Sequence, residues 1–468
     1  MARQRNPSDV KKIIKIADAA SSGNLGMVKL IGEGISEKKK ERIGEMINCL
    51  VGKDGNGVLH NAAGRGYAEI CEYLIEKFNV NVNSVSQSGK TPIGFAANFG
   101  NPNVIEYLIK RGANLNMQDA NGFTPLHDAV VGVQPQALEV LLSRGARVNT
   151  QSFVGSPLLL ATLRGDIPCM KILLDHSADP NKMLCHVVTP LLVTVMNNKK
   201  CLFQQQAEAK ELAELLIKAG ADVNKVPILG LAYHSKELME YLLESGADPN
   251  LTDESGRLPI IVAAVRGKKE IVETLFPLTT PIPTMPDWSI DGLFNYVESQ
   301  EYKKEREVLS KKRLVELNKK IQAALSQKEY LVALVLCTYA LEERPEDASA
   351  YYVKRSRCWM HLGNAQCGVT SITYKLNSTL DANKSNSSED IRTLGKDYLS
   401  RNDYFPAALA FGAGLSLDSE DFKNEMRGVV DCALKSGDHV LPDELEEMGK
   451  PAFTVTIDID KMKFSIHD

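Results

Sequence analysis

Leucine-rich segments recur along the first half of the chain, and a polar turn follows each of them. Five of these segments read VIEYLIKRGANLN, ALEVLLSRGARVN, MKILLDHSADPN, AELLIKAGADVN and LMEYLLESGADPN. Apolar residues three and four positions apart predict amphipathic helices, and the Gly, Ser, Asn and Asp residues that follow predict turns. The pattern therefore predicts a series of similar helices separated by similar turns.

A second segment type precedes these helices, as in SQSGKTPIGFAA, DANGFTPLHDAV and ESGRLPIIVAAVRG. Where the Thr-Pro pair occurs, we expect the Thr to begin a helix and the Pro to occupy its first turn, where the missing N–H costs nothing. The turn residues Asn83, Asn116, Asn149 and Asn181 follow one another at intervals of 33, 33 and 32 residues. A fixed period of this length indicates a solenoid of helix pairs.

This period, together with the Thr-Pro-Leu-His element, resembles the ankyrin repeat. The resemblance implies ankyrin repeats over residues 51–278, preceded by an N-terminal helical cap over residues 1–50. The cap segment IADAASSGNLGMVKLI looks like a repeat that lacks the Thr-Pro start. An atypical terminal unit is what a solenoid needs to cover its exposed apolar end.

His127 lies directly before Asp128, a pairing that is also found at catalytic sites. A structural role is favoured because the repeat accounts for the residue without a further assumption. We therefore expect His60 and His127 to hydrogen-bond the neighbouring turn rather than to move protons.

Two units depart from the period. The segment between Thr189 and Gly220 is about ten residues longer than the neighbouring spacing predicts, because of the insertion at 197–211, and the next unit is several residues short. Insertions in solenoids form loops or helix extensions on one face, so this pair of units is predicted to be the least regular part of the array.

Four prolines fall within ten residues of the segment FPLTTPIPTMPDWSIDGLF, and a solenoid cannot continue through them. Residues 279–312 are accordingly predicted to be a Pro-rich linker and a charged helix, with Trp288 holding the linker against the last repeat. Residues 313–435 show the tyrosine, small-residue and proline spacing of tetratricopeptide helix pairs. Ankyrin repeats followed by PIPTMPDWSIDG and such a module are similar to a plant family of ankyrin and tetratricopeptide proteins.

Tetratricopeptide modules of this size often clamp the acidic tail of a heat-shock chaperone. The resemblance places five residues at the clamp positions: Asn318, Gln322, Lys354, Glu389 and Thr393. A clamp needs converging cations, since charge-assisted hydrogen bonds are the strong ones, and here an acid replaces one cation. Chaperone binding is therefore disfavoured, although Lys354 keeps a weak preference for anions and a partner site at this residue stays an alternative.

The C-terminal tail, residues 436–468, has a different pattern. Apolar residues alternate with Thr and Asp from Phe453 to Ile459, and KMKFSI repeats the alternation, which predicts two strands. An isolated two-stranded hairpin is marginal in water. We therefore expect the tail to dock on the solenoid or to pair with another chain.

Composition narrows the choice of function. The 468 residues include 55 basic and 59 acidic side chains, which gives no electrostatic footprint for nucleic acid. The nine cysteines are scattered without a Cys-x-x-Cys pair, as in reduced proteins of the cytoplasm or the nucleus. There is no apolar run long enough for membrane insertion, and no phosphate-loop, hydrolase-elbow or metal-ligand motif, so neither an enzyme nor a cofactor is predicted.

The sequence thus predicts an all-α protein, an ankyrin-repeat solenoid followed by a tetratricopeptide-like helical repeat module, that serves as a scaffold or adaptor for other proteins. A co-chaperone adaptor is the alternative, and an enzyme is the remote one. The predicted partner-binding residues of the array are three aromatic and three basic side chains: Phe99, Phe123, Phe153, Lys90, Arg164 and Arg257. In the competing interpretation, these phenylalanines pack sideways onto adjacent repeats.

Overall fold

A computed structural model describes residues 7–48, 55–197, 206–283, 285, 287–343, 350–351, 354–355, 358, 362, 454–458 and 463–467. The chain separates into two compact units, Met1–Lys303 and Lys304–Asp468. Apart from one two-stranded hairpin, the regular elements of the described residues are helices. The predicted all-α class and helix-pair solenoid are confirmed.

Three helices form the N-terminal cap: α1 (Pro7–Ser21), α2 (Leu25–Glu33) and α3 (Glu37–Asn48). Their apolar residues, such as Ile16, Val28 and Ile43, are buried, whereas Leu30 on α2 is exposed. Within the segment predicted to be a helical cap, residues 7–48 therefore contain three helices, and the apolar faces of these helices pack toward the array.

Five helix pairs follow, and each consists of a short first helix and a second helix. They are α4 (Val58–Gly64) and α5 (Ala68–Phe78), α6 (Pro92–Asn98) and α7 (Pro102–Lys110), α8 (Pro125–Val131) and α9 (Pro135–Ser143), α10 (Pro157–Arg164) and α11 (Ile167–Asp175), and α12 (Pro190–Asn197) and α13 (Gln206–Lys218). The first helices from α4 to α12 pack side by side in one layer, and the second helices from α5 to α11 pack in another. The core lies between the two layers.

The starts of the first helices follow the predicted chemistry. Thr91 and Ser156 cap α6 and α10, because their hydroxyl oxygens accept from the backbone N–H groups of Gly94 and Leu159 at 3.4 and 3.2 Å. A proline occupies the first turn in both helices. Leu158 and its equivalents are fully buried, so the helix starts and the core positions predicted from the Thr-Pro pattern are confirmed.

A ladder of asparagine side chains joins the turns at the far end of the second helices. Asn181 is typical: its amide donates to the Gly220 carbonyl at 2.8 Å, and its oxygen accepts from Asp222 N at 2.7 Å. Equivalent pairs of hydrogen bonds are made by Asn83, Asn149, Asn224 and Asn250. These bonds satisfy backbone groups that would otherwise lack partners within their own repeat.

The unit after α13 is the short one. A single 3-10 turn, Leu229–Leu231, stands where the other units have a first helix, and α14 (Lys236–Glu244) follows it. α13 has 13 residues, whereas α7, α9 and α11 have nine each. Residues 198–205 of the insertion lie outside the described part of the chain.

The array ends with α15 (Pro259–Val265) and α16 (Lys269–Leu275), a 3-10 turn (Phe276–Leu278), and α17 (Ile290–Glu298) after the linker. Trp288 stacks on Phe276 with ring centroids 5.1 Å apart, which confirms that this residue holds the linker against the last repeat. Asn250, the last rung of the ladder, accepts from Thr280 N at 2.8 Å. The linker thus continues the ladder where another turn would have stood.

The helix α18 (Gln300–Ser326) begins in the first unit and continues into the second, where α19 (Tyr330–Glu342) follows. Leu317 and Ile321 of α18 are buried, and Arg306 forms an ion pair with Glu343. α18 is continuous across residue 312, where the sequence predicts a boundary. Most of the remaining tetratricopeptide segment lies outside the described residues, so that assignment stays a prediction.

The tail contains β1 (Thr454–Asp458) and β2 (Lys463–His467), paired antiparallel. The register sets Val455 opposite Ile466 and Ile457 opposite Phe464, which agrees with the alternation in the sequence. Within the described residues, the helices are all too short or too polar to cross a lipid bilayer.

Candidate functional site

His127 fixes the start of α8 and the hairpin of the next repeat. Its Nδ1 accepts from the backbone N–H of Thr124 at 3.2 Å and lies 2.9 Å from the Thr124 hydroxyl. Because Nδ1 accepts, the ring proton is on Nε2, which donates to the Gly155 carbonyl at 3.1 Å. Burial lowers the pKa of His127 to about 4, so the ring is neutral near pH 7 and serves as a brace between repeats.

His60 has the equivalent role in the first helix α4, two repeats before His127. Its Nε2 lies 3.0 Å from the Lys90 carbonyl oxygen, and its ring meets the edge of Phe95. The prediction that both histidines bond the neighbouring turn is therefore confirmed.

The hairpins that precede the first helices hydrogen-bond to one another in series. Gln87 N donates to the Gly55 carbonyl at 2.8 Å, and Ala120 N donates to the Ser88 carbonyl at 3.0 Å. Phe153 N continues the series by donating to the carbonyl of Asn121 at 3.2 Å. This row of hairpins, which we call the hairpin edge, is continuous from Gly55 to Phe153.

Aromatic rings form a column on the hairpin edge. Phe123 stacks on Phe153, with centroids 5.2 Å apart and planes 20° apart, and its other neighbour is His127 at 5.4 Å and 5°. Both phenylalanines pack sideways on an adjacent repeat, yet they remain half-buried rather than buried. The structure therefore brings Phe123 and Phe153 together and leaves part of each ring accessible.

Two of the predicted cations, Lys90 on the hairpin edge and Arg257 in the corresponding hairpin before α15, are engaged within the chain. Lys90 Nζ lies 2.6 Å from an Asp128 carboxylate oxygen of the next repeat, and Arg257 Nε lies 2.7 Å from Asp253. Asp128 is almost wholly buried, and burial raises its pKa to about 6 against the opposing effect of Lys90. Lys90 thus joins two repeats, while Arg257 closes its own hairpin.

Sequence reasoning overlooked the carboxylates that shape these hairpins. Asp119 accepts from the backbone N–H groups of Asn121 and Phe123, both at 2.8 Å, and Asp253 does the same for Ser255 and Arg257 at 2.9 Å. The signal was present as the related segments DANGF and DESGR, in which the acid stands five residues before the N-cap of the first helix.

Phe99 and Arg164 lie at the opposite end of the first helices. Phe99 caps the C-terminus of α6 and is 60% exposed, and Arg164 is the last residue of α10. Phe123, by contrast, stands just before the start of α8. The six predicted residues of the array therefore lie on two separate surfaces and do not form one patch.

In the second unit, Lys354 Nζ lies 3.3 Å from the Asn318 amide oxygen and 5.2 Å from the centre of the Tyr351 ring. Asn318 in turn donates to the Tyr351 hydroxyl at 2.6 Å. Two of the five clamp positions are thus in contact. Gln322 is exposed, and Glu389 and Thr393 lie outside the described residues.

The adjacent pair Cys185 and His186 occupies a hairpin tip. A bridge between Leu184 and Val188 flanks the tip. Cys185 and His186 have positive φ angles of 49° and 58°. Two successive positive φ angles are typical of the tight turns that connect hairpins.

Comparison with known families identifies the repeats. A family model described as ankyrin repeats (3 copies) matches residues 16–119, 59–152 and 203–282. The first match begins inside α1, so the cap is part of the repeat pattern. The chain contains ankyrin repeats, and these are a fold for protein–protein interaction.

Two individual proteins illustrate the likeness. The E3 ubiquitin-protein ligase KEG of Arabidopsis thaliana is 32% identical over 110 residues, which amount to 24% of this chain and 6% of that protein. The match thus spans a small part of the relative's length. A crystal structure of the human ASB11 ankyrin repeat domain is 25% identical, with 48% of this chain and all of that one covered at a TM-score of 0.40.

Proposed function

We propose that this chain is a non-catalytic scaffold or adaptor that binds other proteins at the hairpin edge of its ankyrin repeats. The observation that carries the proposal is the half-buried, partly accessible Phe123–Phe153 stack on a hydrogen-bonded row of hairpins. Large aromatic side chains at a surface of this kind are typical anchors of protein interfaces.

The rigidity of the hairpin edge supports this proposal. The hairpins are fixed by Asp119 and His127 within and between repeats. A partner therefore meets a surface that is already ordered, and a preorganised surface loses less conformational entropy on binding. The Lys90–Asp128 pair holds one cation at a defined place on the hairpin edge.

The test replaces the stack in the full chain. The double variant Phe123→Ala/Phe153→Ala should capture at least about tenfold less partner protein than the wild type in an affinity purification. Quantitative mass spectrometry measures the captured amounts. Because the two rings are only half-buried, we expect each truncation to cost less than the ~3–5 kcal/mol of a fully buried Phe, with a modest fall in melting temperature.

Leu30→Ala is the matched control, since Leu30 is a large apolar residue on the cap helix α2 and is 66% exposed. Capture by this control should equal that of the wild type. Unchanged capture by the double variant, or a collapse of its helical signal, would show that the two rings serve the core alone.

The remaining features of the proposal rest on the sequence. The Pro-rich linker and the order of the two predicted modules favour the plant family of ankyrin and tetratricopeptide proteins, and the scattered cysteines favour the cytoplasm or the nucleus. Ligase activity is not proposed, because the match to KEG covers 6% of that protein.

Co-chaperone binding is the second candidate, and one contact favours it. Lys354 lies beside Asn318, as two members of an anion clamp would. The acid at position 389 opposes it, so we propose that this unit does not clamp acidic chaperone tails.

A further inference from the structure

The turns between the first and second helices form a second edge of the array, opposite the hairpin edge. In four successive repeats, these turns read RGY (65–67), FGN (99–101), GVQ (132–134) and RGD (164–166). The first three turns are in series, because Asn101 donates to the carbonyls of Ala63 and Gly64, and Gln134 lies against Gly100. The fourth turn follows them because α10 packs beside α8. We call this row of four turns the turn edge.

The third turn has its glycine and side chain in reversed order. The other three turns carry glycine at the second position with φ of 77°, 69° and 68°, whereas the third carries Val133 there with φ of 54°. Glycine is needed one residue earlier, because a Cβ on Gly132 would lie 1.8 Å from the Asn98 carbonyl oxygen. The reversal keeps an apolar side chain on the turn edge at a place where the first position has no room for one.

Val133 is unfavourable for the fold in two respects. A β-branched residue with positive φ is a conformational outlier, and glycine would relieve the strain. The side chain is also 49% exposed, so it contributes little to the core. Strain of this kind that stability does not explain points to a function.

Charge and spacing define what this edge can bind. Phe99 and Val133 are exposed in the two middle turns, and Arg65 and Arg164 are exposed in the outer two. Within the described residues, neither arginine has a carboxylate at ion-pair distance. Asp166, the one carboxylate among the twelve turn residues, is buried and caps α11 by accepting from Cys169 N at 3.0 Å.

We propose that the turn edge binds an extended peptide segment of another protein with two apolar residues between two acidic ones. Adjacent turns are about 10 Å apart, since packed helices have that separation, and an extended residue spans about 3.4 Å. One repeat therefore corresponds to three peptide residues. The matching pattern is acidic, apolar, apolar and acidic at positions 1, 4, 7 and 10, in either direction.

The proposal rests on protein binding as the function of the repeats, but it concerns a surface distinct from the Phe123–Phe153 stack. The probe is the labelled peptide Glu-Ser-Ser-Leu-Ser-Ser-Leu-Ser-Ser-Glu, and fluorescence anisotropy with the full chain measures its binding. The control peptide carries Lys in place of both Glu residues. At low salt the Glu peptide should bind at least about tenfold more tightly than the Lys peptide. This difference should be smaller at high salt, because salt screens the charges.

Two variants test the charges. Arg65→Glu/Arg164→Glu should reverse the preference, so that the Lys peptide binds better than the Glu peptide. Arg147→Glu is the matched control, because Arg147 is exposed on the same array but lies outside the turn edge, and it should leave the preference unchanged. Phe123→Ala/Phe153→Ala should also retain peptide binding, so failure here and failure at the hairpin edge are distinguishable.

Val133→Gly separates binding from stability. It should raise the melting temperature by a few degrees while weakening the Glu peptide about fivefold or more. The proposal is overturned by undetectable peptide binding to the wild type, by an unchanged charge preference in Arg65→Glu/Arg164→Glu, or by unchanged affinity for the Glu peptide in Val133→Gly. If the peptide does not bind, and Arg65→Glu/Arg164→Glu changes the sedimenting mass, the turn edge would instead be a contact with a second copy of the chain.

Discussion

His127 shows how one buried side chain links the sequence pattern to the stability of two repeats. It is wholly buried and bonded at both ring nitrogens, so its charged form is disfavoured in the folded state. The Thr-Pro-Leu-His element predicted this role because the element recurs. Asp128 was not predicted, since its partner Lys90 stands 38 residues earlier in another repeat. Val133 was overlooked because a positive φ leaves no trace in the hydrophobic pattern.

The pH dependence of stability should carry the signature of His127. Burial lowers its pKa to about 4 from the ordinary 6.5, so between these values the unfolded state binds more protons. Its contribution is therefore complete above pH 6.5 and is lost as the pH falls toward 4, by roughly 2–3 kcal/mol. The measurement is urea unfolding of wild type and His127→Gln from pH 7.5 to 4.5.

The difference between the two proteins should stay constant from pH 7.5 to about 6.5 and then shrink as the pH falls to 4.5. Taking the difference removes the opposite contribution of Asp128, whose pKa is raised by burial and which both proteins share. A difference that stays constant with pH would show that the imidazole is not the titrating group.

At the scale of elements, the helices were predictable and the connections between repeats were less so. Period and proline placement fixed α6, α8 and α10, because these helices depend on local sequence. The missing residues of the short unit indicated an irregularity there, but the single 3-10 turn depends on packing against α15. The asparagines were noticed for their spacing, whereas their bonds to the next repeat required the structure.

The asparagine ladder should be a measurable source of stability. Asn181→Ala removes both bonds to the following turn, at Gly220 and Asp222, and should cost about 1–2 kcal/mol. The turns are exposed, so water replaces part of the loss. The control is Asn103→Ala, because Asn103 is exposed on α7 and lies outside the ladder. If Asn181→Ala and Asn103→Ala lower the free energy of unfolding equally, as measured in urea, the ladder has no specific role in stability.

At the scale of the whole molecule, the sequence predicted the architecture better than the site. The order of array, linker and second unit follows from composition and period. The six predicted residues of the array were chosen for exposure and chemistry, and the structure distributes them over two edges. Which edge a residue occupies depends on its position within the repeat, and its exposure depends on the neighbouring repeat, as Gly132 and Asn98 show.

The second unit gives a test of the co-chaperone alternative. A Glu-Glu-Val-Asp peptide should bind the full chain no more tightly than about 1 mM, close to 4 kcal/mol, because an acid replaces a clamp cation. Isothermal titration calorimetry measures this directly. Micromolar binding that weakens with salt and is abolished by Lys354→Ala would promote the alternative over the scaffold.

The 3-10 turn at Leu229–Leu231 gives the array an uneven mechanical character. Repeats in a solenoid are held by their neighbours alone, so under tension they behave as springs in series. Extension concentrates at the most compliant unit. We expect this to be the unit with one 3-10 turn, because the turn has three residues where other first helices have seven or eight to pack against their neighbours. A load applied along the array would therefore open it first at this unit, with the repeats on the N-terminal side still folded as one block.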